Sequence, residues 1–228
     1  DEEDQHEQLW SITKNVAWVI NEKWMTPDKG IWEFRGEDQH FTFSKVLCWV
    51  AIDRAIKVAE LFKKGKKIKK WILLRDSIKK DILFKGWNKN KRAFTQSYNS
   101  SDLDASVLLM EPYGFISAND PKYISTVHAI EKELSNDGLL YRYKNEDDFG
   151  LPSSSFTVCT FWFIDALNKI GERKKAKNLF DKLLSYSNHL GLFSEDLDFK
   201  TKELLGNFPQ AYSHLALIET AMNLNKTK

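Results

Sequence analysis

Apolar residues recur at helical spacing in one segment of this chain after another, and that monotony restricts the fold to packed helices. In the first segment Leu9, Ile12, Val16, Val19 and Ile20 mark one face, and Trp24 and Pro27 end the helix after about 18 residues. A second helix is expected to start at Ser44 as N-cap. Its Val46, Leu47, Trp49, Val50, Ala55, Ile56, Val58, Ala59 and Phe62 leave little polar surface besides Asp53, Arg54, Lys57 and Glu60, so it should be an inner helix. Further segments fall at 67–84, 103–111, 121–134, 156–170, 172–186 and 209–224, with Pro121 and Pro209 at first helical positions. Only Leu139 to Tyr143 reads as strand. Very apolar helices alternate with lysine-rich amphipathic ones, which suggests antiparallel αα-hairpins arranged as an inner and an outer ring.

With 228 residues, 42% hydrophobic and 29% charged, the chain can bury one sizeable core. Its 34 basic and 32 acidic residues nearly cancel, so no global field favours nucleic acid or an anionic membrane. The run Lys63-Lys64-Gly65-Lys66-Lys67-Ile68-Lys69-Lys70 lacks interleaved aromatics and reads as a solvated turn between helices. No stretch approaches the roughly 20 apolar residues of a membrane span. Cys48 and Cys159 lie in apolar helical runs, without Cys or His at zinc-ligand spacing, and are expected as buried thiols. His40 and His214 have no carboxylate partner at ligand spacing, so neither a metal nor a cofactor is expected. The acidic start Asp1-Glu2-Glu3-Asp4 is unlike a signal peptide, and the lack of a disulfide framework fits a reducing compartment; a cytoplasmic location is the expectation. Because the first residue is Asp rather than Met, an upstream segment is expected too.

Long loops at 25–43, 87–102, 143–154 and 187–208 hold many of the aromatic and acidic residues, and loops of this length on a helical scaffold are where function is sought. Two carboxylates stand out. Glu33 lies in Gly30-Ile31-Trp32-Glu33-Phe34-Arg35-Gly36, where two aromatic neighbours should resist its ionisation and raise its pKa. Glu195 lies in Gly191-Leu192-Phe193-Ser194-Glu195-Asp196, among polar residues that should leave it ionised. One protonated and one ionised carboxyl is the division of labour of a glycosidase. The plain alternative is chance, since a chain with 32 acidic residues will set some beside aromatics.

Six collinear stretches go further. Asp28 to Gly36, Phe41-Thr42-Phe43-Ser44-Lys45-Val46 with Trp49 to Ala55, Ser125-Thr126-Val127, Tyr141-Arg142-Tyr143, Cys159-Thr160-Phe161-Trp162 with Gly191 to Asp196, and Gly206 to His214 together resemble the glucoamylase and trehalase-like hydrolases of glycoside hydrolase family fifteen. The resemblance implies an all-α (α/α)6 barrel, a toroid of helical hairpins, with catalytic loops at one end of the inner helices. It implies that Glu33 is the general acid, that Glu195 is the base for an inverting attack by water, that Trp32 borders the sugar and that Arg142 grips its hydroxyls. The implied substrate is an α-glucoside, oligosaccharide or disaccharide. Arg35 is a weaker binding candidate, and it and Asp53 read equally as ion-pair members. Phe34, Phe41, Trp87 and Tyr98 are further stacking candidates beside Trp32, although most aromatics in such a chain must be core. Asn207, Gln210 and Tyr212 either orient the loop of Glu195 or cap and pack the last helix.

Two departures from the family pattern qualify that picture. Leu151-Pro152-Ser153-Ser154-Ser155-Phe156 replaces a stretch with Gly and Glu, and Phe34 replaces a second Glu after the acid, so the chain resembles the bacterial trehalase-like branch more than the starch-degrading one. Family members also carry an N-terminal β-sandwich and earlier barrel helices. Residues 1–228 are therefore expected to be a single portion, the second part of the barrel, whose exposed apolar faces invite self-association. A catalytically incomplete fragment or a carbohydrate-binding scaffold is the competing expectation.

Overall fold

A computed structural model describes residues 2–147 and 150–226. The helices are α1 (Glu2–Lys23), α2 (Thr42–Leu61), α3 (Gly65–Lys85), α4 (Pro121–Leu134), α5 (Thr157–Lys169), α6 (Arg173–Leu184) and α7 (Ala211–Asn225), with a 3-10 turn at Ala105–Met110. The 3-10 turn packs between α2 and α5, and α5 packs on α7; against this row lie α1 and α3 beside α2, and α4 and α6 beside α5. The core fills with Ile52, Ile78, Ile82, Phe94, Leu108, Met110, Phe115, Phe161, Phe163 and Phe193, each fully buried or nearly so. The chain turns back at 62–64 between α2 and α3 and at 170–172 between α5 and α6, which gives the expected hairpins. Lys63 and Lys64 form the first turn, and α3 starts at Gly65.

Several helix boundaries differ from the sequence reading. The second helix starts at Thr42, because Phe41 is buried in an extended conformation and the Thr42 N–H donates to Gln96 O at 2.8 Å. Ser44 is no cap; its hydroxyl reaches back to Asp28 Oδ1 at 2.6 Å. The segment at 103–111 shrinks to six residues of 3-10 helix, for which Asp104 is the N-cap. Pro121 does open α4 behind the capping Asp120, but Pro209 lies outside α7, whose N-cap is Gln210.

The apolar stripe of α1 is also corrected. Its packed side carries Thr13 and Ala17 with the half-buried Trp10 and Ile20, whereas Leu9, Ile12, Val16 and Val19 of the expected stripe are 46%, 59%, 42% and 47% exposed. Thr13 and Ala17 are the buried residues of this side, and of the expected stripe only Ile20 packs against the core. On α7, Leu215, Ile218 and Met222 are likewise exposed. Burying such a side chain fully is worth about 1.5–3 kcal/mol, so these two faces are sites of unused hydrophobic energy.

Strand structure is richer than the single stretch expected. β1 (Trp87–Asn88) pairs with β2 (Ala93–Phe94), β3 (Ser135–Asn136) with β4 (Leu139–Leu140), and β5 (Ser155–Phe156), β6 (Asp196–Leu197) and β7 (Leu204–Leu205) form a three-stranded antiparallel ladder. Each strand is two residues long, too short for a period-two pattern to show in sequence. Tyr143 forms an isolated bridge with Asp104, not part of β4. The β5–β6–β7 ladder ties the loop at 187–208 to the N-terminal end of α5, and the isolated Phe41–Ser97 bridge ties the loop at 87–102 to that of α2.

Candidate active site

The loop carrying Glu33 is folded on Asp28. Its Oδ1 accepts the Gly30 N–H at 2.8 Å as well as the Ser44 hydroxyl, and Oδ2 accepts Lys45 Nζ at 3.2 Å. Asp28 and Gln39 exchange backbone hydrogen bonds that close the loop. Gly30, at φ 69°, lies so near Phe41 that an added Cβ would meet its ring at 2.9 Å. Only glycine fits there.

Trp32 and Phe34 take the inward positions. The Trp32 ring meets Phe156 edge-on at 5.5 Å and lies 6.4 Å from Tyr143 and 6.3 Å from Trp162; Phe34 stacks on Phe41 at 5.1 Å. Between them Glu33 has φ 54° and is exposed, as is Arg35 two residues on. The expected burial of Glu33 between two rings is therefore not what the chain adopts: the left-handed backbone turns its side chain outward while its neighbours point in.

Glu195 sits on the β5–β6–β7 ladder. Its N–H donates to Asn207 O and its carbonyl accepts the Thr157 N–H, both at 2.9 Å. Oε2 accepts the Asn207 N–H at 3.2 Å and Nδ2 at 2.8 Å, and Oε1 accepts the Tyr212 hydroxyl at 2.6 Å. Gly206, at φ 72°, makes room: a Cβ there would lie 2.9 Å from Oε2. Partial burial works to raise the pKa of this carboxyl, but the hydrogen bonds from Tyr212 and Asn207 and the charge of Arg142 outweigh it and hold it below the ordinary value. Ionisation was expected here, though the cause is not the neighbouring aspartates. Asn207 and Tyr212 orient Glu195. Gln210 instead donates its N–H to Phe193 O at 3.0 Å.

Arg142 donates to Asp147 Oδ2 at 3.0 Å, and Tyr143 donates to the same oxygen. Its guanidinium lies 4.9 Å from the Tyr143 ring and 5.8 Å from Phe156. Phe156 also stacks on Tyr212 at 5.9 Å. One ring thus lies against Trp32 of the first loop, Arg142 at the start of the third and the tyrosine that holds Glu195. Arg142 Nε, Thr157 Oγ1 and Asp196 Oδ1 are buried without a hydrogen-bond partner among the described residues.

Other candidates prove structural. Asp53 is ringed by Arg54, Lys57 and Arg75 at 2.5, 3.0 and 3.6 Å. Phe41 is buried, Trp87 meets Phe94 edge-on, and Tyr98 stacks on His40. His214 Nε2 accepts the Phe193 N–H at 3.2 Å, so Nδ1 carries the proton, shared with Gln210 O at 2.7 Å. Cys159 is buried, but Cys48 is half-buried, a correction to its expected burial; both are free thiols. Among the described residues no three His, Cys, Asp or Glu group so as to hold a metal ion, and no helix is long and apolar enough to cross a membrane. Phe156, Asp104 and Asp147 escaped the sequence reading. Asp104 alone left a signal, as an N-cap type ahead of an apolar run.

The sequence model for Glycosyl hydrolases family 15 matches residues 2–222. A trehalase of Mycolicibacterium smegmatis is 44% identical over 219 residues, covering 95% of this chain and 33% of its own length. A trehalase of Thermoplasma volcanium is 42% identical over 219 residues, covering 96% and 35%. Among solved structures, a bacterial glucoamylase complexed with acarbose superposes with a TM-score of 0.78 at 17% identity, over 97% of this chain and 38% of that one. A wild-type glycosidase gives 0.75 at 15%, over 91% and 57%. These likenesses show the helical toroid fold. The chain spans about a third of the length of the curated relatives it matches.

Proposed function

This chain belongs to glycosyl hydrolase family 15, and from that premise we propose that it carries the acid and the base for inverting hydrolysis of a terminal α-glucosidic bond, with trehalose as substrate. The observation that carries the reading is Glu195, a carboxylate held ionised by three hydrogen bonds in a loop joined to the Trp32-Glu33 loop through Phe156. Glu33 hands its proton to the glycosidic oxygen as the C–O bond breaks. Glu195 takes a proton from the water that attacks the anomeric carbon from the opposite face. Arg142 offers fixed N–H donors to the sugar hydroxyls, and Trp32 offers an apolar wall. Residues 1–228 serve as one all-α portion of the catalytic domain. Trehalose is preferred over starch because the relatives above are trehalases and Phe34 follows the acid.

The test is glucose release from trehalose, maltose, isomaltose and soluble starch. Trehalose should give the highest rate. If the folded protein releases glucose from none of them, the second reading stands, a carbohydrate-binding scaffold without turnover; the exposure of Glu33, which leaves it without an apolar surround, is the observation that favours it.

Tyr212→Phe should shift the acidic limb of the pH profile of kcat/KM upward by roughly one unit, since a hydrogen bond to a charged group is worth about 1.5–3 kcal/mol and one unit is about 1.4 kcal/mol. The sign follows from Glu195. Its depressed pKa stabilises the fold above the unfolded value, and that stability is lost as pH falls through the folded value; removing a donor raises the folded value, so both the active form and its stability fade at higher pH. A limb that stays in place removes Tyr212 from the base.

A further inference from the structure

Asp104 is a buried carboxylate for which the hydrolysis has no use. It is 2% exposed, and burial pushes its pKa up against the hydrogen bonds that it accepts. The groups that face it are Ser106, Gln96 and Trp32, none of them a cation. Oδ1 caps the 3-10 turn, accepting the Ser106 N–H at 2.8 Å and its hydroxyl at 2.6 Å. Oδ2 does something else: it accepts the Trp32 indole N–H at 2.9 Å and the Gln96 amide at 3.0 Å. Capping explains one oxygen only, since a serine would cap as well at less cost of desolvation. The backbone of the same residue bridges to Tyr143, and the next N–H, of Ala105, donates to Arg142 O at 2.9 Å.

We propose that Asp104 is a positioning residue for the general acid, fixing the Trp32 indole by its side chain and the Arg142–Tyr143 segment by its backbone, so that Glu33 is presented in register with the sugar-binding arginine. The proposal rests on the reading of Glu33 as the acid. Glu33 is exposed, and its N–H reaches Gly30 O only at 3.3 Å, so the place of its carboxyl depends on the locked ring beside it. Asp104 lies 71 residues from Glu33, far from every motif that marked the site.

Asp104→Asn keeps the shape but has one acceptor oxygen, so it cannot serve both Ser106 and Trp32. In the intact protein, turnover of trehalose should fall roughly 10–10²-fold, the scale of a misplaced catalytic group, with KM little changed. Hydrolysis of α-glucosyl fluoride, whose departure needs little proton transfer, should fall much less. Trp32→Phe deletes the same hydrogen bond from the other side and should show the same split, which covers the case in which Asp104→Asn fails to fold. Ser106→Ala trims only the capping side and should show none. Equal losses on both substrates in Asp104→Asn, or a lowered Tm with unchanged kinetics, overturn the proposal and leave Asp104 a cap. Glu33→Gln measured alongside separates the two readings: if it shows no split, the acid assignment fails on its own. In that event the amide resonance of Glu33, read without turnover, decides the positioning. It must move in Asp104→Asn, and an unmoved resonance overturns the coupling.

Discussion

Glu33→Gln is expected to lower turnover of trehalose by about 10²–10⁴-fold, the usual contribution of a general acid. The amide keeps the volume of the side chain and can donate a hydrogen bond, but it cannot release a proton as the glycosidic bond breaks. Substrates with activated leaving groups, such as nitrophenyl α-glucosides, should lose far less, because their leaving oxygen departs as an anion. That contrast is the useful part. Kinetics on both substrate types check it, and equal loss on both means that Glu33 is not the acid.

Glu195→Gln should cost a similar 10²–10⁴-fold, here on poor and activated substrates alike, since water must be deprotonated whatever leaves. Stereochemistry separates base from nucleophile. Trehalose joins two glucoses through both anomeric carbons in the α configuration. A single displacement by water turns one of them to β and frees the other as α, so proton NMR recorded before mutarotation should show the two anomers in equal amounts. A double displacement would give α alone, and would make Glu195 a nucleophile.

The helices were legible because 3.6-residue periodicity survives over twenty residues, as in α2, and because a proline behind a capping aspartate marks the start of α4. The periodicity misled at α1. It reports which face is apolar, not which face is buried, and the packed face there centres on Thr13 and Ala17, with only Ile20 of the expected stripe beside them. Of the two-residue strands only β4 left a trace, within the stretch from Leu139 to Tyr143, yet the β5–β6–β7 ladder holds the loop of Glu195 in place. At the site, Glu195 could be picked out by its turn, but not the Tyr212 hydroxyl and Asn207 amide that keep it ionised, since each had an equally good role in helix packing. Glu33 was picked out by its motif, but with the wrong surroundings; a positive φ at one residue reverses which side chains of a tripeptide face inward, and composition does not show it.

Phe156 has no chemistry of its own, yet its ring lies against Trp32, Arg142 and Tyr212. Mutational effects should for that reason fail to add among the residues around it. Replacing Trp32 changes the surface on which Phe156 rests, and so the effect of replacing Tyr212, although the two residues are 180 positions apart in the chain. A lineage refining this site for a different sugar would meet that epistasis early: a change on one side would alter the set of tolerated changes on the other, and the order in which substitutions arrive would govern which specificities are reachable.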